Sequence, residues 1–202
     1  MLIEPSAAWT AADHATLQQW FADYRKWLLT STNGITEGLA SNNHGVYYDA
    51  QVAHFALFEG DADFARRQLE KASKNRIALQ IEPDGHQPQE LRRTKSWDYS
   101  VYNLQAFVYL ARIGERISVD LWNYEAEDGG GIRAAIDFLA ESAQHPSDWK
   151  WRQIKDVHYG GLARILLIAA EAYNEPAYHD LALEIGDFSN DASRDWLLYQ
   201  VE

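Results

Sequence analysis

Apolar residues recur at helical spacing along almost the whole chain, and no strand pattern of convincing length interrupts them. Thr10 followed by Asp13 reads as an N-cap with a carboxylate at the third helical position. Leu17, Trp20, Phe21, Tyr24, Trp27 and Leu28 then mark one face of an amphipathic helix, which Asn33-Gly34 closes before a polar loop. A second helix runs from about His44 to Phe58 and stops at Gly60. It is nearly apolar in its second half, so it is expected to be buried. A third, from about Asp61 to Gln80, sets Phe64, Ala65, Leu69 and Ile77 against Arg66, Arg67, Glu70, Lys71 and Lys74, the pattern of a half-solvated outer helix. The short junction at Gly60-Asp61 makes these two an antiparallel pair.

Glu82 to Ser96 is a long loop of the kind that carries function in compact domains. A fourth helix spans Trp97 or Asp98 to about Glu115, and a fifth spans Ile132 to Ala143. A loop with Trp149 and Trp151 leads to an apolar sixth, about Tyr159 to Tyr173. A short seventh follows Glu175-Pro176, and Trp196 to Tyr199 suggests one last turn. Buried helices alternate with half-solvated ones, and short connections with long ones. The expected fold is all-α: one domain over residues 1–202, built of helical hairpins around an axis with the long loops at one end.

Composition removes several function classes. The formal net charge of −12 argues against nucleic acid, which needs a basic surface to displace counterions. With no cysteine, thiol catalysis and disulfides are excluded. No apolar run reaches the ~18 residues of a membrane span. The opening MLIEPSAAWT shows no basic segment followed by an apolar stretch, so no signal peptide is read there. Eight Trp and eleven Tyr suit either a helical core or a sugar-binding groove, with the core favoured.

Two helix starts concentrate the chemistry. Asn42, Asn43 and His44 precede one apolar pattern; Arg92, Arg93, Lys95, Trp97 and Tyr99 precede another. A helix N-terminus presents unpaired N–H groups and partial positive charge, so it favours anions. Tyr48 and Gln51 lie on the His44 face by helical spacing, with Tyr47 and Asp49 pointing elsewhere. Ser96 is a candidate cap that leaves Tyr99 in the first turn, where the nearby cations favour its phenolate and make it a proton carrier. If the two starts converge, they form a pocket for a carboxylate beside a His and a Tyr. Amide donors, Arg, His and Tyr without a nucleophile or metal suit removal of a proton α to a carboxylate, because positioned donors stabilise the enolate-like state. Abstraction at C5 of a uronic acid with protonation of the glycosidic oxygen is β-elimination. Each residue also has a bland role: Asn42 and Asn43 as caps, His44 as structural, Tyr99 as core, Arg92 and Arg93 as solvated. Their joint occurrence at two helix starts gives the sharper reading its weight. His14, His54, His145 and His179 are assigned no chemistry; His86 and His158 border the expected groove.

At these residues the sequence resembles the all-helical alginate lyase family, including its glucuronan-lyase-like relatives. The matching segments are NNHGVYYDAQVA (Asn42 to Ala53), IEPDGHQPQEL (Ile81 to Leu91), RTKSWDYSVYNLQAF (Arg93 to Phe107) and DLWNYE (Asp120 to Glu125). The resemblance implies a partial (α/α) toroid, cleavage of polyuronates by β-elimination without a cofactor, an anionic polysaccharide partner, and a periplasmic or secreted setting. By position it implies that Asn43 and the loop arginine, Arg93 in preference to Arg92, neutralise the C5 carboxylate, with His44 and Tyr99 transferring protons. Tyr48, Gln87, Arg92, Lys95, Trp97, Trp122 and His158 are the candidate substrate contacts. Members of the family are usually nearly twice as long, with further N-terminal hairpins before the region matched here. A half toroid exposes the flanks of its inner helices, which favours a homo-oligomer. Two alternatives stay open: a glycoside hydrolase using Asp49 and Asp98, and a catalytically silent carbohydrate-binding scaffold.

Overall fold

The structure, a computed structural model, describes residues 6–186; the turn expected at 196–199 lies outside them. Helix α1 (Ala11–Thr30) opens with the expected capping box, in which Thr10 and Asp13 satisfy each other's end of the helix. It closes at Ser31, earlier than the sequence suggests, and a short α2 (Thr32–Gly38) occupies part of the expected loop. The Ser31 hydroxyl accepts from the Gly34 N–H at 3.0 Å, so Asn33-Gly34 sits inside a new helix instead of ending the first. Helix α3 (Asn43–Glu59) ends at Gly60, whose φ of 88° is the left-handed conformation that glycine adopts without steric cost.

The long third helix of the sequence reading is three segments: α4 (Ala62–Arg67), a π-helical turn (Gln68–Ser73) and α5 (Lys74–Gln80). A one-turn α6 (Pro88–Leu91) interrupts the loop that follows. Then come α7 (Ser96–Glu115), α8 (Ile132–Gln144), α9 (Gly160–Tyr173) and α10 (Pro176–Ile185). Among the described residues the only β pairings are two isolated bridges, Lys95 with Gln153 and Glu125 with Gly131. No helix among them is long and apolar enough to cross a membrane.

Helix α7 is the spine. It packs against α3, α8 and α9, while α1 and α4 cover α3, and α10 covers α9. Leu104, Phe107, Val108 and Leu110 are fully buried along it. Cutting Phe107 back to Ala would cost about 3–5 kcal/mol in lost contacts and cavity. Helices α3 and α7 run parallel. The Tyr47 hydroxyl near the start of α3 reaches the Tyr102 carbonyl near the start of α7, and residues at the far ends of both helices line one cavity. Inner helices pointing the same way, each backed by an outer helix, make the expected partial toroid. Both starts therefore lie at one end of it.

Candidate active site

The first turn of α3 and the segment before α7 are fastened together by Glu90. Its carboxylate is 1% exposed. It accepts from the Asn43 backbone N–H at 2.8 Å, and the Asn43 amide Nδ2 lies 3.0 Å from both of its oxygens. Glu90 itself sits in α6, where its carbonyl accepts from the Arg93 N–H at 3.0 Å. One side chain thus holds two regions that are 47 residues apart. Asn42 is the N-cap residue but makes no side-chain cap bond.

Below this joint lies a buried amide network. The Asn103 amide donates to Gln87 Oε1 at 2.8 Å and to Gln80 Oε1 at 3.2 Å. Gln87 donates onward to the Ser100 carbonyl at 3.1 Å, and Gln80 to the Asn42 carbonyl at 3.4 Å. The network ties the end of α5, the loop before α6, and the starts of α3 and α7 into one rigid floor. Buried amides are tolerated there because their donors are matched to acceptors.

Around the floor stand the groups able to move protons. His44 is half exposed, and its Nδ1 lies 2.8 Å from a Glu37 carboxylate oxygen. A carboxylate at Nδ1 favours the tautomer with the proton there, leaving the Nε2 lone pair free to act as a base. Tyr99, half buried in the first turn of α7, lies beneath two cations. The Arg93 guanidinium carbon is 3.8 Å from its ring centroid and the Lys95 ammonium 5.7 Å. Arg93 therefore covers the ring face, an arrangement that fixes the phenol and keeps a positive charge beside it. One turn up, the Tyr47 and Tyr102 rings meet with centroids 4.4 Å apart. These two residues follow His44 and Tyr99 by three positions each, so the helix faces bearing the imidazole and the phenol adjoin.

The start of α7 is also braced by the loop after α8. The Trp97 N–H donates to the Gln153 side chain at 3.1 Å, and the Ser96 N–H to the Arg152 carbonyl. Ser96 is not the cap that its position suggests; its hydroxyl accepts from the Trp149 indole at 3.0 Å.

A deeper carboxylate supports α3 from behind. Asp49 is fully buried and receives Arg76 Nε at 2.7 Å, with further bonds from Gln68 and Ser73. Burial pushes its carboxyl above the usual range, and the bonds from Arg76, Gln68 and Ser73 pull the other way. Arg76 continues to the carbonyls of Gly38 and Ala40. It passes so close to Gly45 that a Cβ there would sit 2.2 Å from a guanidinium nitrogen. Glycine in the first turn of α3 is what gives Arg76 its path.

This geometry decides the family. The sequence model of a family described as alginate lyase matches residues 1–149. A crystal structure of an alginate lyase from Bacteroides ovatus superposes with a TM-score of 0.91 at 31% identity, covering 100% of this chain and 53% of that one. The chain belongs to the alginate lyase family. It spans about half the length of that relative. No curated protein matches it.

Within this alginate lyase domain, several residues expected to touch sugar are removed from any groove. Tyr48 packs toward α1 with its hydroxyl on the Leu28 carbonyl, and Tyr47 faces α7 in its place. The two differ by one residue, about 100° around a helix, and α1 claims the Tyr48 face. Gln87 is 1% exposed because the amide network uses it. Trp97 is 2% exposed, enclosed by Trp149 and Tyr159. Trp122 is buried at the opposite end of α7, its indole donating to Glu115. Arg92 and His158 are exposed, and Lys95 is partly so.

Glu37 and Glu90 are the residues that sequence reading missed. Nothing local marks them; each becomes notable only by its remote contact. For a metal, the described residues offer only Glu82, Asp84 and His86, whose ligand atoms lie within 4.8 Å of one another. His86 there bonds Asp84 and wedges its ring against Phe138 and Trp151, which accounts for the cluster as a loop fastening.

Proposed function

We propose that this domain cleaves a uronic-acid polymer, of the alginate or glucuronan type, by β-elimination at the joined starts of α3 and α7. The observation that carries the reading is the Asn43–Glu90 joint, which sets a Glu-backed histidine and a cation-covered tyrosine on adjoining helix faces.

In the proposed reaction the C5 carboxylate of the sugar meets Arg93, with Lys95 and Arg92 adding positive potential. Asn43 keeps one amide hydrogen not needed by Glu90, available to the same carboxylate. Neutralising that charge lets electron density build on the carboxyl group as the C5 proton leaves. The His44 Nε2 takes the proton, and the C5–H electron pair becomes the C4–C5 double bond. The C4–O4 bond breaks, and the departing oxygen receives the Tyr99 phenolic proton. No oxidant, metal or external nucleophile enters the balance. Such a substrate fits a periplasmic or secreted setting.

The two-carboxylate hydrolase has less support, because Asp49 is sealed beneath Arg76. A panel of alginate blocks, glucuronan and hyaluronan, followed by ultraviolet absorbance, tests the proposal, since elimination leaves a conjugated double bond and hydrolysis does not. Tyr99→Phe should reduce turnover about 10²–10⁴-fold, the usual range for a lost general acid or base, with binding largely kept. Normal turnover in Tyr99→Phe, or chain cleavage without the new absorbance, would overturn it.

A further inference from the structure

We propose that the groove between the C-terminal halves of α3 and α7 holds the distal part of the same anionic polysaccharide, several sugar units from the bond that is cleaved. The identity of this ligand rests on the elimination reading; the groove itself rests on separate observations.

A cavity of ≈ 700 Å³ opens there, lined by Tyr47, His54, Phe58, Tyr109, Arg112 and Arg116 among others. Its charge is out of keeping with the rest of the molecule. The chain carries 30 Asp and Glu against 18 Lys and Arg, so a surface arginine ordinarily finds a carboxylate. Arg112 does, with Glu115 at 3.2 Å and Glu171 at 3.6 Å. Arg116 does not: it is exposed, and no carboxylate among the described residues pairs with it. It faces His54, whose imidazolium is disfavoured first by burial and then by the Arg116 charge. Two cation-forming groups turned on one concave surface, with no anion between them, leave positive potential in an otherwise acidic protein. A carboxylate supplied from outside is the missing partner.

The walls suit a sugar. Tyr109 is 43% exposed, and its ring stands edge-on to Tyr47 at 6.5 Å. Rings with one free face and a phenolic hydroxyl offer a stacking surface and a hydrogen-bond handle together. They also connect the groove to the reaction site. Tyr99 and Tyr102 share a face of α7, the Tyr102 ring contacts Tyr47, and Tyr47 contacts Tyr109. From Tyr99 to Arg116 the helix climbs roughly 25 Å at ~1.5 Å per residue, several sugars along a chain. Periodic carboxylates on one polymer can thus meet Arg93 at one end and Arg116 at the other.

Oligouronates of two to six sugars, titrated calorimetrically into wild type and Arg116→Ala, test the groove. Wild-type affinity should rise about tenfold or more between trimer and hexamer, and Arg116→Ala should lose that step. Tyr109→Ala, judged by the same step, keeps the test decisive if Arg116→Ala folds poorly. An identical step in both variants overturns the proposal. So does sedimentation showing a dimer, dispersed by Arg116→Ala, in which a second copy fills the groove. Absorbance on the same samples separates the two readings. An Arg116-dependent length step without a new double bond sinks the elimination and keeps the groove; turnover with affinity that is flat in length does the reverse.

Discussion

Two acidic side chains are buried in this domain, and they are satisfied in opposite ways. Asp49 is held by a guanidinium, an amide and a hydroxyl, all from the π turn and α5 behind α3. Glu90 is held by the neutral donors of Asn43. Where the task is to clamp helices, the fold spends a cation on the carboxylate. Where the task is to assemble the reaction site, it uses neutral donors, and Arg92, Arg93 and Lys95 are left for an anionic substrate. The difference locates function: the cations that are free stand next to the joint that needed none.

The strongest way to break this contrast is Arg76→Ala. It leaves Asp49 buried without its countercharge, which should cost about 3–5 kcal/mol in chemical denaturation. A loss near zero would mean that the clamp is ornamental. Glu90→Gln should cost less, about 1–3 kcal/mol, because one oxygen still accepts while the new amide meets an Asn43 donor. Its turnover in the absorbance assay should nonetheless fall well beyond the fraction unfolded. If Glu90→Gln instead destabilises as much as Arg76→Ala with turnover per folded molecule unchanged, the two carboxylates do the same job.

The smallest effect concerns His54, away from both. Its folded pKa is lowered, so the unfolded chain takes up the proton first. Stability is then full above the ordinary histidine value and falls as pH drops through about 6.5 toward the folded value. His54→Gln should flatten that part of the melting-temperature profile and leave the profile above it unchanged. A profile identical to wild type would show that the groove does not penalise the imidazolium.

Much of the scaffold was legible because helices announce their ends. Thr10 with Asp13, Gly60, and Pro176 at a first helical position are local chemical signals, and the structure uses each of them. Helix α2 was missed since its start depends on a single serine hydroxyl in a stretch that also reads as a turn. The π turn was invisible because one extra residue in a helix leaves little trace in apolar spacing. At the site, the helix starts were read correctly as neighbours of a joint. The sugar contacts fared worse: periodicity says which side chains share a face, and only tertiary packing says which face is taken. Tyr48, Gln87, Trp97 and Trp122 were claimed by α1, the amide floor, the Trp149 loop and the far end of α7.

The π turn from Gln68 to Ser73 gives the domain a sensitivity to length that no substitution reproduces. Gln68, Ser73 and Arg76 all reach Asp49 across it. Deleting one residue inside the turn would restore regular winding and rotate whatever follows by about 100°. Arg76 would swing off Asp49 and out from under Gly45, and the first turn of α3 would lose the prop beneath His44. A single-codon deletion there, with every named side chain still present, would disarm the molecule.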